Sequence, residues 1–92
     1  MSRFRLVTKV KLKEMLEERN LWSKMQSGRL LEVEQNRTRA KRAPDSTSYI
    51  ISYYDEHLQY VCTIHKIVTR NGEVIHEHVK DAFVDGVRYK AE

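Results

Sequence analysis

The 92-residue sequence predicts a single α+β domain, in which an N-terminal strand and two helices pack on a C-terminal four-stranded antiparallel meander. Three observations support this fold class. Apolar residues recur at helical spacing in the first third. Composition changes to β-branched and aromatic residues after Pro44. Two hairpin dipeptides separate apolar runs farther on. We expect one domain over residues 1–92, with a basic strand-and-helix half (1–44) and a sheet half (45–92).

The N-terminal half opens with a strand signal and continues with a helix signal. Strict alternation of charged and apolar residues predicts a strand over Phe4–Val10. Met15 and Met25 then lie on one helical stripe among good helix formers, which predicts a helix over 11–26. We expect Gly28 to end this helix.

Residues 29–42 fit two structures. Propensity favours a helix that Pro44 would end, and we expect this helix. On it, one stripe would carry Leu30, Val33, Arg37 and Ala40. The alternative is a strand, on which one face would carry Leu31, Val33, Gln35, Arg37, Arg39 and Lys41.

The sheet half has clear strand and turn signals. Strands are predicted over Thr47–Tyr54, Leu58–Thr69, Glu73–Val84 and Val87–Lys90. Asn71-Gly72 and Asp85-Gly86 each predict a two-residue type I′ turn, because these residues adopt positive φ at low cost.

A two-residue loop at Asn71-Gly72 fixes the register of the strands around it, because pairs continue outward one for one. One face would then be apolar, and we expect Cys62 on this face to be a buried thiol. The predicted pairs on that face are Val68–Ile75, Lys66–Glu77 and Ile64–Val79.

The other face of the same hairpin gathers three imidazoles. His65 lies opposite His78, and His76 lies beside them, next to a predicted Thr63–Lys80 pair. Three histidines can bind Zn²⁺ and leave its fourth position open. The predicted register puts Glu77 and Asp81 on the opposite face, so no carboxylate would orient the rings. We therefore expect a partner surface at these histidines, with no metal and no cofactor.

Charge is distributed unevenly along the chain. Residues 1–44 carry twelve Lys or Arg against five Asp or Glu, and residues 45–92 carry five against eight. The densest cationic run comprises Arg37, Arg39, Lys41 and Arg42, and Lys24 and Arg29 would extend it along both helices. Arginine suits bidentate phosphate contact, so we expect these residues to bind nucleic-acid phosphate. The alternative is a solvated face that carries solubilising charge.

The sequence contains no catalytic constellation that we can place. It has no glycine-rich phosphate loop, and its single cysteine excludes an internal disulfide. We therefore expect a protein that acts by binding, without catalysis and without a small-molecule substrate. No apolar run approaches the length of a membrane span, and we expect a cytoplasmic protein that does not contact membranes.

Two long segments, LLEVEQNRTRAKRAPDSTSYIISYYD and YVCTIHKIVTRNGEVIHEHVKDAFVDG, resemble the phage-encoded anti-CRISPR proteins. The resemblance is to inhibitors of type I RNA-guided surveillance complexes. It implies a viral inhibitor that docks on the effector subunits in the bacterial host and blocks target DNA binding. Many such inhibitors are acidic mimics of DNA, whereas this chain is basic. A basic inhibitor would contact the guide RNA or acidic protein surfaces.

Two other functions remain open. Small endoribonuclease toxins are also basic and built from helices on an antiparallel sheet, and His65, His76, His78 and Arg88 offer the residue types that such enzymes use. A small DNA-binding regulator would need a turn between two helices, for which 26–29 is the candidate.

Overall fold

The computed structural model describes residues 3–92 and has two helices on one six-stranded mixed sheet, which confirms the α+β class. The elements are β1 (Arg5–Val7), α1 (Lys9–Glu18), α2 (Leu21–Gln26), β2 (Leu31–Arg39), β3 (Ser46–Tyr54), β4 (Tyr60–Thr69), β5 (Val74–Val84) and β6 (Val87–Ala91). Their order across the sheet is β1-β6-β5-β4-β3-β2. The predicted four-stranded meander is therefore the centre of a larger sheet.

The predicted helix over 11–26 is two helices. Thr8 caps α1, because its Oγ1 accepts a hydrogen bond from the Lys11 N–H at 3.1 Å, and the helix begins before the predicted start. Asn20 has φ 59°, a left-handed conformation that asparagine tolerates, and it separates α1 from α2. The predicted end at Gly28 is confirmed, with φ 76° at that residue. Neither helix in the described part of the chain is long and apolar enough to cross a membrane.

The predicted helix over 29–42 is wrong, because these residues contribute the edge strand β2. It pairs antiparallel with β3, and all nine of its residues are exposed. Hydrogen bonding to β3 outweighs helix propensity, which amounts to only about 0.7 kcal/mol per residue among ordinary residues. The segment 26–29 therefore joins a helix to a strand, and it is not the turn between two helices that a DNA-binding regulator would need.

β2 contains a β-bulge at Gln35, which changes the residues that share a face from those of the alternative strand prediction. Glu34 lies opposite Ile51, yet Asn36 lies opposite Ile50, so one residue of β2 has no partner. Leu31 and Val33 therefore lie on one face, and Arg37 and Arg39 lie on the other, with Glu32 and Glu34. The predicted single line of apolar and basic residues is not formed.

One face of the sheet packs against the helices, and we call it the covered face. Its core includes Leu12 and Leu16 of α1 against Cys62, Ile64, Val79 and Ala82 of the sheet. The predicted Ile64–Val79 pair and the buried Cys62 are confirmed. Burying one large aliphatic side chain stabilises a fold by about 1.5–3 kcal/mol, so this layer holds the sheet and the helices together.

The β4–β5 hairpin keeps the predicted register in its middle and loses it near the turn. The Gly72 N–H donates to the Thr69 oxygen at 2.9 Å, and the Thr69 N–H donates to the Glu73 oxygen at 2.8 Å. Three residues therefore form the loop, and Val68 pairs with Val74 rather than with Ile75. A bulge after Ile67 restores the predicted pairs His65–His78 and Lys66–Glu77.

A second bulge in this hairpin moves Asp81. Thr63 lies opposite Asp81 and not opposite Lys80, because Lys80 is the extra residue of the bulge. The prediction that Asp81 shares a face with Glu77 is therefore wrong. Asp81 lies on the face with Thr63 and the histidines, which no helix covers and which we call the open face.

The remaining turn and the first strand complete the sheet. Asp85 and Gly86 have φ 51° and 79°, and Val84 pairs with Val87, as the predicted type I′ turn requires. β1 is shorter than the predicted strand over 4–10, and it pairs parallel with β6. The sheet thus has two edges, β1 and β2, at opposite ends.

Candidate functional site

The predicted phosphate-binding residues lie at one edge of the sheet. Arg37 and Arg39 are at the end of β2, and Lys41 and Arg42 follow in the connection to β3. All four are exposed, and we call them the basic edge. A groove of about 700 Å³ opens beside them and is lined in part by Arg37, Arg39 and Lys41. The main chain beneath is held by the Ala40 N–H, which donates to the Ser46 oxygen at 3.0 Å.

Arg37 is the cation of the basic edge that contacts an acidic and an aromatic side chain. Its Nε and one terminal nitrogen donate to Glu34 Oε1 at 3.2 and 2.9 Å, and its Cζ lies 5.3 Å from the Tyr49 ring centroid. The hydrogen bonds that Arg37 donates to the Glu34 carboxylate raise the pKa of its guanidinium. Among residues 3–92, no carboxylate lies within ion-pairing distance of Arg39, Lys41 or Arg42. Three of the four charges are therefore uncompensated.

Lys24 and Arg29 do not join the basic edge. Lys24 is in α2, and Arg29 precedes the start of β2, whereas Arg39 is the last residue of that strand. At about 3.3 Å per residue, a nine-residue strand separates its two ends by about 26 Å. The predicted cationic stripe is therefore divided, because β2 is extended and not helical.

The three predicted histidines come together on the open face, and we call them the histidine cluster. The ring centroids of His65, His76 and His78 lie 4.9–5.5 Å apart. His76 Nε2 and His78 Nδ1 are 2.8 Å apart and share a hydrogen bond. Ser48 Oγ lies 2.7 Å from His65 Nε2, so a hydroxyl from β3 orients this ring.

Two rings of the histidine cluster, those of His65 and His78, have lowered pKa values. Burial, followed by the charge of Lys9 and the neighbouring imidazoles, lowers the pKa of His78 to about 4. Burial and the charges of His76, Lys80 and Lys9 also lower the pKa of His65. Both rings are therefore neutral near pH 7, which is the form that accepts a hydrogen bond or binds a metal.

A polar network on the open face centres on Tyr60, and the sequence pattern did not predict it. The Tyr60 hydroxyl donates to Asp81 and also bonds to Thr63. Arg88 donates to Asp81 at 3.2 Å, and its Cζ lies 5.7 Å from the Tyr60 ring centroid. Ser52 Oγ lies 2.9 Å from Thr63 Oγ1. Burial and the hydrogen bond to Asp81 raise the pKa of Tyr60, so the phenol stays protonated at physiological pH.

This network borders a groove of about 900 Å³, which we call the tyrosine groove. Its lining includes Ser52, Tyr54, Tyr60, Thr63, Phe83 and Arg88. No simple sequence signal identifies it, because the bulge at Lys80 decides that Asp81 faces Tyr60. Aromatic rings, an arginine and hydroxyl groups in one groove are suited to stacking and hydrogen bonding with a planar polar ligand.

Cys62 is not available for nucleophilic chemistry. It is 1% exposed on the covered face, and burial raises the pKa of its thiol to about 12. A thiol with this pKa carries almost no thiolate at neutral pH.

Comparison of the chain with models of protein families, with curated proteins and with solved structures finds no match in any of the three.

Proposed function

We propose that this protein acts by binding RNA phosphate within a larger protein complex, and that the basic edge makes the contact. The observation that supports this most directly is the exposure of four cations at the end of the edge strand β2 and in the connection that follows it, three of them without an acidic partner among the described residues. Such charges attract polyanions, and each phosphate neutralised releases counterions.

The spacing of the two β2 arginines, and the contacts that hold Arg37, favour phosphate as the ligand. Arg37 and Arg39 lie on the same side of β2, about 6.6 Å apart along the strand. This separation is comparable to that of successive phosphates along an extended single strand. Glu34 and Tyr49 hold the Arg37 guanidinium in place, so little side-chain freedom would be lost on binding.

The nature of the complex follows from the resemblance and the charge. An anti-CRISPR inhibitor of a type I surveillance complex would dock on protein subunits that carry a guide RNA and would block target DNA binding. A net charge of +4 is opposite to that of a DNA mimic, so we assign the contact to the guide RNA backbone. The histidine cluster on the open face is the second surface that we propose for contact with the protein subunits.

The test compares two double variants that change the charge equally in two parts of the molecule. Arg37→Glu with Arg39→Glu alters the basic edge, and Arg5→Glu with Lys11→Glu alters two exposed cations of β1 and α1, away from the tyrosine groove. The probes are a reconstituted type I surveillance complex with its guide RNA and a fluorescent single-stranded RNA. We expect the basic-edge variant to bind both probes at least about ten-fold more weakly. The slope of the logarithm of the binding constant against the logarithm of salt concentration should become shallower by about 0.7 for each phosphate contact removed. Thermal melting verifies that both variants fold.

Equal binding by both folded variants would contradict the proposed phosphate contact. If the basic-edge variant loses binding to free RNA but still binds the complex, the basic edge binds RNA only. Another surface of the protein would then make the inhibitory contact with the complex. Failure of the wild-type protein to bind any type I complex would reject the inhibitor assignment itself.

The open face favours a second candidate function, which is RNA cleavage. The histidine cluster and the Tyr60–Asp81–Arg88 network share this face, and Thr63 and His65 are two residues apart on β4. Imidazole, phenol and guanidinium are groups that transfer protons and stabilise charge at phosphorus. We expect no cleavage when purified protein is incubated with RNA. Cleavage that is lost in His65→Ala and retained in His57→Ala would establish the enzyme instead.

A further inference from the structure

The open face holds a ligand set for a metal ion. The histidine cluster presents one nitrogen from each of three residues, and these nitrogens all lie within 4.8 Å of one another. They come from two adjacent strands, because His65 pairs directly with His78 and His76 is two residues away on the same side of β5. Strands of a packed sheet hold such groups more rigidly than loops do.

We propose that the histidine cluster binds a divalent transition metal ion, Zn²⁺ in particular, through one nitrogen each of His65, His76 and His78. The ring spacing supports this assignment. In a tetrahedral site with Zn–N bonds of 2.0–2.1 Å, imidazole centroids are separated by about 5.2 Å. The three centroid separations here are 4.9, 5.0 and 5.5 Å. The rings are therefore already spaced as three ligands of one ion.

Only a small movement would admit the ion. His76 Nε2 and His78 Nδ1 face each other at 2.8 Å with one shared proton. Two nitrogens on the same tetrahedral zinc lie about 3.3 Å apart, so the metal fits between them when the rings separate by about half an ångström. The displaced proton moves through water to the other ring nitrogen of the histidine that carried it, and both rings stay neutral. His76 is exposed, so its ring has room to move.

Ser48 supplies an orienting contact to the histidine cluster that the sequence pattern does not predict. The expectation of no metal rested on the lack of a carboxylate beside the rings, and Asp81, although it is on the open face, is held by Tyr60 and Arg88. Ser48 Oγ instead lies 2.7 Å from His65 Nε2. When Nε2–H donates to this hydroxyl, the lone pair is on His65 Nδ1, which is then free to bind the metal.

The charged residues around the histidine cluster favour one kind of fourth ligand. Lys9 of α1 and Lys80 of β5 place positive charge near the histidines and oppose a bare dication. An anion in the fourth position would reduce this repulsion. Three protein ligands leave that position open, as in sites where a metal binds water or a substrate oxygen.

The test uses untagged full-length protein, freed of metal with a chelator and titrated with Zn²⁺ in competition with a chromophoric chelator. We expect one Zn²⁺ per chain with micromolar or tighter affinity, and no binding of Mg²⁺. His76→Ala should weaken Zn²⁺ binding by at least about ten-fold, and Ser48→Ala by about 10–100-fold as an orienting residue. The matched control is His57→Ala, because His57 is exposed in the β3–β4 connection outside the cluster.

Co²⁺ gives a second measurement that reports on the ligands themselves. Wild-type protein should develop the intense visible bands of a tetrahedral cobalt site, and His76→Ala should lose them while melting like wild type. Wild-type protein that binds no Zn²⁺ at micromolar concentration would overturn the proposal. Equal Zn²⁺ binding by wild type and His76→Ala would also overturn it. This outcome is independent of RNA binding, because the basic edge is not altered.

Discussion

The two faces of the sheet use the same strands for different purposes. On β4, Cys62 and Ile64 point to the covered face and are at most 1% exposed. Thr63 and His65 alternate with them on the open face, where each is partly buried and hydrogen-bonded to β3. A sheet with helices on one side can solvate the other, and this protein places the histidine cluster and the Tyr60–Asp81–Arg88 network there.

This difference separates stability from chemistry. The core of the covered face consists mainly of apolar side chains whose contribution comes from burial, so changes in this core act on the whole fold. Polar groups on the open face satisfy one another across strands, and among the described residues no buried side-chain polar atom lacks a partner. Changes on the open face should therefore be local, and binding or catalytic functions can evolve there without loss of the core.

The largest effect should come from the covered face, and two isoleucines of β4 provide a matched pair. Ile64 is 0% exposed in the core, whereas Ile67 is partly buried on the open face. We expect Ile64→Ala to lower the free energy of unfolding by about 2–5 kcal/mol, because it leaves a cavity. Ile67→Ala should lower the free energy of unfolding by less than half of that amount. Urea denaturation measures both, and equal losses would show that the open face is also part of the core.

An intermediate effect should follow from breaking the Tyr60 network. Asp81→Ala removes the acceptor of both Tyr60 and Arg88, and we expect it to lower the free energy of unfolding by about 1–3 kcal/mol. Asp81→Asn keeps an acceptor oxygen and should recover part of the loss. The same urea titrations check this. Stability unchanged by Asp81→Ala would mean that Tyr60 and Arg88 find other partners at no cost.

The smallest effect should be a pH dependence that comes from the histidine cluster. The pKa of His78 is lowered to about 4 in the folded protein from an ordinary value of 6.5, so the unfolded chain binds more protons between these values. Stability should therefore decline as pH falls from 6.5 towards 4 and should be insensitive to this group above 6.5. Melting temperatures of metal-free protein should show a shallower decline in His78→Asn than in His57→Ala. If the melting temperatures of both variants fall equally with pH, the lowered pKa is not that of His78.

The candidate sites were predictable to different degrees. Pairing of His65 with His78 followed from counting outward from Asn71-Gly72. The loop has three residues and not two, but the bulge after Ile67 compensates for the extra residue and preserves this pair. The cations of the basic edge were found from their density alone, although their secondary structure was predicted wrongly. The Tyr60–Asp81–Arg88 network was missed, because one extra residue in a bulge reverses the face of every residue beyond it.

The sequence by itself determined the local features of the fold. Gly28 ends a helix, and Asp85-Gly86 makes a tight turn, because positive φ is a property of individual residues. The β-branched and aromatic runs after Pro44 form strands, because their side chains suit a pleated, half-buried surface.

Only the tertiary structure decided the long-range features. Residues 31–39 are an edge strand because β3 offers a hydrogen-bonding partner, and β1 joins the sheet because the end of β6 lies beside it. β6 is far from β1 in sequence, and the pairing of β2 with β3 cannot be seen in the propensities of residues 31–39 taken alone. Pairing between strands outweighs the small differences in intrinsic propensity, and it placed the basic edge and the tyrosine groove where they lie.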